Sequence, residues 1–289
     1  MKHSDNILYV INQNYHKLTK GEKKVADYVT AHPKDILYTS ITDLANMCNV
    51  GDTTVFRFCK TLELRGYQDF RMKLAQSLSL DNEADNAFVR DPNDNSHAES
   101  VQAVCQKQYT VNMAAINETY ELLNHDAVDK AVSYLVQARN IYFFGVGSSA
   151  MVAMTAQNCF LRICSNVHCL HDNHLQSMVA ALMSKDDVAV MISYSGSTKD
   201  TLEILQLAKG NGSKIISLTH FRNSPIAASS DVVLLSGSKE GPFQGGSTSA
   251  SIAQLFLIDI LYSEFYKRNY AVSQINKHKT SNAIAEKLL

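Results

Sequence analysis

The chain lacks the signatures of several large functional classes. Its six cysteines, Cys48, Cys59, Cys105, Cys159, Cys164 and Cys169, are scattered and never form a CxxC pair, so no paired-cysteine metal or redox motif is present. Most sit among apolar neighbours, where a thiol behaves as a small hydrophobe, and a reduced, cytoplasmic setting is the expectation. No apolar run approaches the roughly 18 residues of a membrane span, and the opening residues Met1–Asn6 do not read as an export signal. No Gly-Lys-Ser/Thr sequence follows a glycine-rich loop, which argues against nucleoside triphosphates, and Gly145-x-Gly147 lacks the third glycine of a dinucleotide fingerprint. Internal repeats are absent, and the overall charge is only −1.

A chain of 289 residues, 45% apolar and 19% charged, has the length of two globular domains. Its ends differ in sign. Residues 1–77 hold eleven Lys/Arg against eight Asp/Glu, whereas residues 78–289 hold sixteen against twenty, so the amino-terminal part is the better candidate to meet a polyanion.

Residues 1–80 read as a run of short helices. Thr19-x-x-Glu22 forms a capping box that opens a helix to about Ala31, where Pro33 stops it. A short helix spans about Ile41 to Cys48, and after Asn49-Val50-Gly51 a third begins near Asp52. Val55, Phe58, Cys59 and Leu62 lie at i, i+3, i+4 and i+7 on that third helix and face a core. Thr53, Thr54, Arg57, Lys60 and Thr61 are thereby left to the solvent side. A further helix, about Gln68 to Ser79, closes the module. Residues 81–97 turn rich in Asp, Asn and Pro and read as a linker, followed by a connecting helix at 98–127.

From residue 128 to 270 strands and helices alternate. Strands are predicted at Ile141–Gly145, Asn166–Leu170, Val188–Ile192, Lys214–Leu218 and Val232–Leu235, and a long helix at Ser249–Tyr266; residues 271–289 form a helical tail. The fold class is α/β: a five-stranded parallel sheet with helices on both faces, behind an all-α head. In such sheets ligands bind beyond the carboxyl ends of the strands, where strand order reverses. With the order 2-1-3-4-5 the reversal brings together Gly145-Val146-Gly147-Ser148-Ser149 and Ser193-Tyr194-Ser195-Gly196-Ser197-Thr198. The second loop packs four aliphatic hydroxyls and a glycine into six residues. Hydroxyls and backbone N–H groups at a strand-to-helix turn bind phosphate oxygens without a cationic side chain. A phosphorylated ligand is predicted, its identity open.

Two signatures match one family. Ile41-Thr42-Asp43-Leu44-Ala45, Val50, Thr54-Val55-Phe56-Arg57-Phe58-Cys59-Lys60, Leu62, Gly66-Tyr67 and Phe70 resemble the helix-turn-helix of RpiR-type transcriptional regulators. The Gly145–Ser149 and Ser193–Thr198 loops, with Ser249-x-x-Ile252-Ala253-Gln254-Leu255-Phe256-Leu257-Ile258-Asp259-x-Leu261-Tyr262, resemble the SIS (sugar isomerase) domain those regulators carry. Two positions depart from the pattern: Gly51 stands where serine is usual, and Glu63 where glycine is usual. Gly remains an acceptable N-cap, whereas Glu63 replaces the residue best suited to a left-handed C′ position.

The resemblance implies a cytoplasmic regulator of carbohydrate or amino-sugar metabolism genes, in which a phosphosugar effector modulates operator DNA binding. Thr53, Thr54, Arg57, Lys60 and Thr61 are its DNA-binding candidates, with pairing of Arg57 to Asp43 as an alternative role. Ser148, Ser149, Ser193, Tyr194, Ser195, Ser197 and Thr198 are the phosphosugar candidates, and Glu240 a contact to the sugar ring. The resemblance also implies pairing through helices such as Ser249–Tyr266 into a homodimer or homotetramer. Neither catalytic residues nor a cofactor are expected. In the cluster Cys164, His168, Cys169, His171 and His174, strand alternation sends His168 and Cys169 to opposite faces, so no metal site is expected either. The competing expectation is a phosphosugar isomerase with an accessory head, using Glu240 as base and His220 or His171 to open the ring.

Overall fold

The computed structural model describes residues 6–81, 100–238, 248–285 and 287, with the side chains of 79–81 left aside. They belong to two compact units, one reaching Val104 and the other starting at Cys105. The linker expected at 81–97, beyond Asp81, lies outside the described residues, as does Glu240.

The first unit is helical: α1 Ile7–Asn14, α2 Lys20–Ala31, α3 Pro33–Ile36, α4 Ile41–Met47, α5 Asp52–Thr61 and α6 Tyr67–Asp81. Local chemistry sets the boundaries. Asn6 caps α1, Ser40 caps α4 through the Asp43 N–H, and the Thr19 and Glu22 capping box opens α2. The expected α5 stripe is buried: Val55, Phe58, Cys59 and Leu62 join Val25, Val29, Leu44, Phe70 and Leu74 in one core. Phe58 meets Phe70 edge to face, centroids 5.5 Å apart. The chain leaves α5 through Glu63 at φ 62°, so the left-handed turn survives without its usual glycine, at a cost of about 1 kcal/mol. Backbone bonds hold it there, Glu63 N to Lys60 O at 2.9 Å and Leu64 N to Cys59 O at 3.0 Å.

In the stretch expected as one connecting helix, α7 Val101–Glu121 ends and α8 His125–Gln137 begins, because Asn124 caps the second helix through the Ala127 N–H. The second unit then runs β1 Asn140–Phe144, α9 Ser148–Leu161, β2 Val167–Cys169, α10 Asn173–Leu182, β3 Asp187–Ile192, α11 Lys199–Gly210, β4 Lys214–Thr219, α12 Pro225–Ser229, β5 Val232–Leu235, α13 Thr248–Arg268 and α14 Tyr270–Ala285. All neighbouring strands pair in parallel, in the order β2-β1-β3-β4-β5. Period-two alternation divides the sheet between two cores. Val188, Val190 and Ile192 face a core shared with α8, α9 and α13, while Ala189 and Met191 face one shared with α10, α11 and α12. Along α14, Asn276 Nδ2 donates to Ile163 O at 2.9 Å and Thr280 Oγ1 to Arg162 O at 3.0 Å.

Asp187 secures the lower end of β3. Its buried carboxylate accepts from Arg139 Nη2 at 2.9 Å, Asn140 Nδ2 at 2.8 Å, and Ser184 N and Oγ at 2.8 and 2.9 Å. Burial pushes its pKa up, but the bonds from Asn140, Arg139 and Ser184 outweigh burial and leave it below the ordinary aspartate value. A depressed folded-state pKa contributes stability above the unfolded value of about 3.9, and that stability is lost as pH falls through the folded-state pKa. Asp187→Ala is therefore expected to cost roughly 3 kcal/mol at pH 7. Urea unfolding checks this, and the gap from the wild type should narrow below about pH 4.

Candidate functional site

The outer face of α5 carries Thr53, Arg57 and Lys60, all exposed. Arg57 forms no ion pair among the described residues, and the alternative pairing with Asp43 is not made; Asp43 is held at its own helix by Ser40 Oγ at 2.7 Å. Thr54 and Thr61 differ from the solvent-side expectation. Both are half-buried on the flank turned to α2, where the Thr54 methyl lies 2.9 Å from the place a side chain would start at Gly21. Thr61 Oγ1 donates to Glu22 Oε1 at 3.1 Å. Burial raises the Glu22 pKa, but bonds from Thr19 and Thr61 and the nearby Arg57 charge bring it below the usual value, so Glu22 holds α5 against α2 as a carboxylate. The sequence reading missed Phe56, which is 46% exposed. Its ring lies beside Gly66, with Lys60 Nζ 5.4 Å from the ring centre.

At the sheet, Phe144 of β1 stands opposite Met191 of β3. The loops that leave these strands therefore start side by side, about one strand spacing apart. Ser193 is buried, and its Oγ accepts from Gly196 N at 3.2 Å, so it braces the turn from inside. Ser195 Oγ accepts from Ser197 N at 3.3 Å, and Ser197 Oγ donates to Ser195 O at 3.2 Å. Tyr194 donates its phenol to Ser238 O at 2.7 Å and stacks on His220 with centroids 5.0 Å apart. Thr198 is the N-cap of α11, yet its hydroxyl makes no capping bond. In the facing loop Gly147 caps α9 and has no side chain to do so, Ser148 is exposed, and Ser149 is buried at 9% exposure.

Capping separates these helices from most others. Asn6, Thr19, Ser40, Asn124, Asp172 and Ser224 each accept a backbone N–H at a helix start. By contrast α5, α9 and α11 begin at Gly51, Gly147 and Thr198 with no side-chain cap, as does the short α3 behind His32. Uncapped first-turn N–H groups carry the positive end of the helix dipole and are free to meet an anion.

Gln176 is a second residue the sequence reading missed. Fully buried on α10, it donates through Nε2 to Gly145 O at 3.1 Å and Leu170 O at 2.9 Å, tying the tips of β1 and β2 together. An amide on an otherwise apolar stripe, between Asn173 and Ala180, was the available signal. His220 donates from Nδ1 to Ser236 O at 2.8 Å, which assigns it to the loop after β5, and His168 stacks on Tyr142 at 4.8 Å.

A helix-turn-helix head on the same chain as a doubly wound sheet with hydroxyl-rich loops at its switch point has the architecture of a transcriptional regulator with a built-in α/β domain. The model for the rpiR-family helix-turn-helix domain matches residues 5–81 and that for the SIS domain residues 134–264. A helix-turn-helix transcriptional regulator of Haemophilus influenzae is 35% identical over 289 residues, covering 99% of both chains. The regulator HexR of Escherichia coli is 34% identical over 97% of this chain and 95% of its own. The structure of the Vibrio vulnificus NanR protein complexed with ManNAc-6P superposes with a TM-score of 0.85 at 27% identity, covering 98% of this chain and all of that one. The chain belongs to the RpiR family of helix-turn-helix transcriptional regulators that carry a SIS domain.

Proposed function

We propose that this protein binds operator DNA through α5 and senses a phosphosugar at the β1 and β3 loops, the sugar phosphate modulating transcription of carbohydrate or amino-sugar genes. The observation that carries the sensor half is the pair of adjacent, uncapped helix starts at α9 and α11, flanked by Ser148, Ser149, Ser195, Ser197 and Thr198. A phosphate there takes first-turn N–H groups from two helices and hydroxyl protons from both loops, with no lysine or arginine required. Ser193 and Tyr194 shape the second loop from behind. ManNAc-6P bound to NanR supports the ligand class.

The DNA half rests on Thr53, Arg57 and Lys60 along one exposed face, and on the uncapped start of α5 as a contact to backbone phosphate. Thr54 and Thr61 orient α5 against α2. The protein acts in the cytoplasm, without cofactor or metal, and as a dimer or tetramer whose symmetry matches paired half-sites. It is not an enzyme in this reading: of the residues named for ring opening, His220 is engaged with Ser236 O and stacked on Tyr194.

The test pairs a thermal-shift screen of phosphosugars on the full chain with binding to an operator duplex selected from a random-sequence pool. A phosphosugar that binds the folded protein raises its apparent stability and shifts DNA affinity. Ser195→Ala is expected to weaken that phosphosugar at least about tenfold, the loss of one charge-assisted hydrogen bond, while DNA binding without effector stays unchanged. Isomerase turnover of hexose or amino-sugar 6-phosphates with no DNA retention sinks the regulator reading.

A further inference from the structure

Residues 236–238, directly after β5, join the phosphosugar loop to α7. Tyr194 is held on three sides: its carbonyl accepts from His220 N at 3.0 Å and Thr219 Oγ1 at 3.1 Å, its ring stacks on His220, and its phenol donates to Ser238 O at 2.7 Å. Ser238 itself is buried, with φ at 146° and its Oγ 3.0 Å from Ser249 Oγ. That backbone is one a non-glycine residue rarely adopts, and it persists where the surroundings over-determine it. One residue earlier, Gly237 N donates to Thr119 Oγ1 at 2.9 Å, and Thr119 passes its own proton to Ala115 O at 2.6 Å. Gly237 packs so closely on α7 that an added Cβ would lie 2.5 Å from Glu118 Cβ and 2.7 Å from Thr119 N.

Along α7 the buried residues are Ala115 and Thr119. Thr119 is thus the polar group by which the helix is fastened at its buried face, and a valine there would fill the same volume. The bond to its i−4 carbonyl is an ordinary use of a helical threonine. Accepting the Gly237 N–H is not, and that second bond sets the helix against the loop that Tyr194 also grips. Along the chain, α7 is the stretch that leads back to the helix-turn-helix head.

We infer that the Thr119 hydroxyl is the positioning group through which phosphosugar occupancy is passed to α7: Tyr194 phenol to Ser238 carbonyl, Gly237 N–H to Thr119 Oγ1. The inference rests on the sensor reading above and names the contact through which that sensor acts. A ligand on the Ser195 and Thr198 loop that shifts Tyr194 pulls on Ser238, and Gly237, covalently next to it, carries the displacement into α7. The effect on DNA affinity is limited to the ligand's differential affinity for the two arrangements.

The experiment measures the DNA dissociation constant of the full chain with and without saturating phosphosugar. N-acetylmannosamine 6-phosphate, N-acetylmuramate 6-phosphate, glucose 6-phosphate and fructose 6-phosphate serve as probes, each confirmed to bind by calorimetry. In the wild type the ratio of the two constants falls in the range of about 5 to 150 that allosteric couplings span. Thr119→Val brings the ratio to within about threefold of unity, below that range, with sugar affinity measured without DNA and DNA affinity measured without sugar both unchanged. Thr119→Ser, which keeps the oxygen, restores the wild-type ratio, and Tyr194→Phe loses it. A Thr119→Val protein with the wild-type ratio overturns the relay and leaves the sensor reading standing. So does a Thr119→Ser protein as uncoupled as the valine variant, since methyl packing rather than the hydroxyl would then be at work. If the valine variant fails to fold, the serine and phenylalanine variants decide alone. A wild type that binds phosphosugar with no change in DNA affinity sinks the sensor reading itself, and the relay with it.

Discussion

Gly196→Ala is expected to reduce phosphosugar affinity at least about 100-fold, equivalent to some 2.8 kcal/mol, while DNA affinity without effector stays as in the wild type. Gly196 sits at φ 59°, and a Cβ there would lie 2.1 Å from Ser224 Oγ, 2.4 Å from Ser224 Cβ and 2.9 Å from Thr219 Oγ1. The left-handed backbone alone costs a non-glycine residue roughly 1–2 kcal/mol. The clash has no cheap relief. Ser224 is fully buried and caps α12 through Ala227 N at 3.3 Å, and Gly196 O is itself held by Ile226 N at 3.1 Å. The loop must lift away from α12, carrying Ser195, Ser197 and Thr198 off the phosphate. Calorimetric titration reads the result directly, and wild-type affinity in a folded Gly196→Ala protein would remove this loop from the site.

Arg57→Ala is expected to weaken operator binding by about 10- to 100-fold, the range of one lost base or phosphate contact. Phosphosugar affinity should be unaltered. Arg57 is exposed and makes no ion pair among the described residues, and the buried Glu22, whose charge Arg57 favours from nearby, keeps its bonds from Thr19 and Thr61 when Arg57 is removed. If its partner is a phosphate, the slope of log affinity against log salt shrinks by about one. If it is a base edge, the slope holds and discrimination at one operator position relaxes. Titrations at several salt concentrations separate the two, and unchanged DNA affinity would count against α5 as the reading helix.

Much of the architecture was legible because periodicity and capping act locally. The Thr19 and Glu22 box, the Val55, Phe58, Cys59 and Leu62 stripe and the five apolar strands all stand where the sequence places them, to within a residue or two at strand ends. The observed order β2-β1-β3-β4-β5 is the common doubly wound one on which the sequence reading was conditioned; strand-helix alternation predicts parallel pairing and right-handed crossovers but does not by itself choose among such orders. Other features were hidden because they depend on which distant element lies alongside. Thr54 and Thr61 read as solvent-facing from the α5 wheel alone, yet α2 covers that flank and Glu22 claims the Thr61 hydroxyl. Short α12 escaped notice since five residues carry too little periodicity to register. Gln176 looked like one polar residue in a helix until the tips of β1 and β2 arrived at its amide.

By itself the amino-acid order determined the two-part build, the helix starts and stops, and the clustering of hydroxyls at two strand tips, because each of these depends on neighbours within a few residues along the chain. Only the tertiary structure decided which hydroxyls turn inward to brace the loops and which stay free, and that Tyr194, Ser238, Gly237 and Thr119 form one connected path. Those outcomes are set by partners 44 and 118 residues away, and no local pattern encodes which of several equivalent donors will find its acceptor once the sheet has closed.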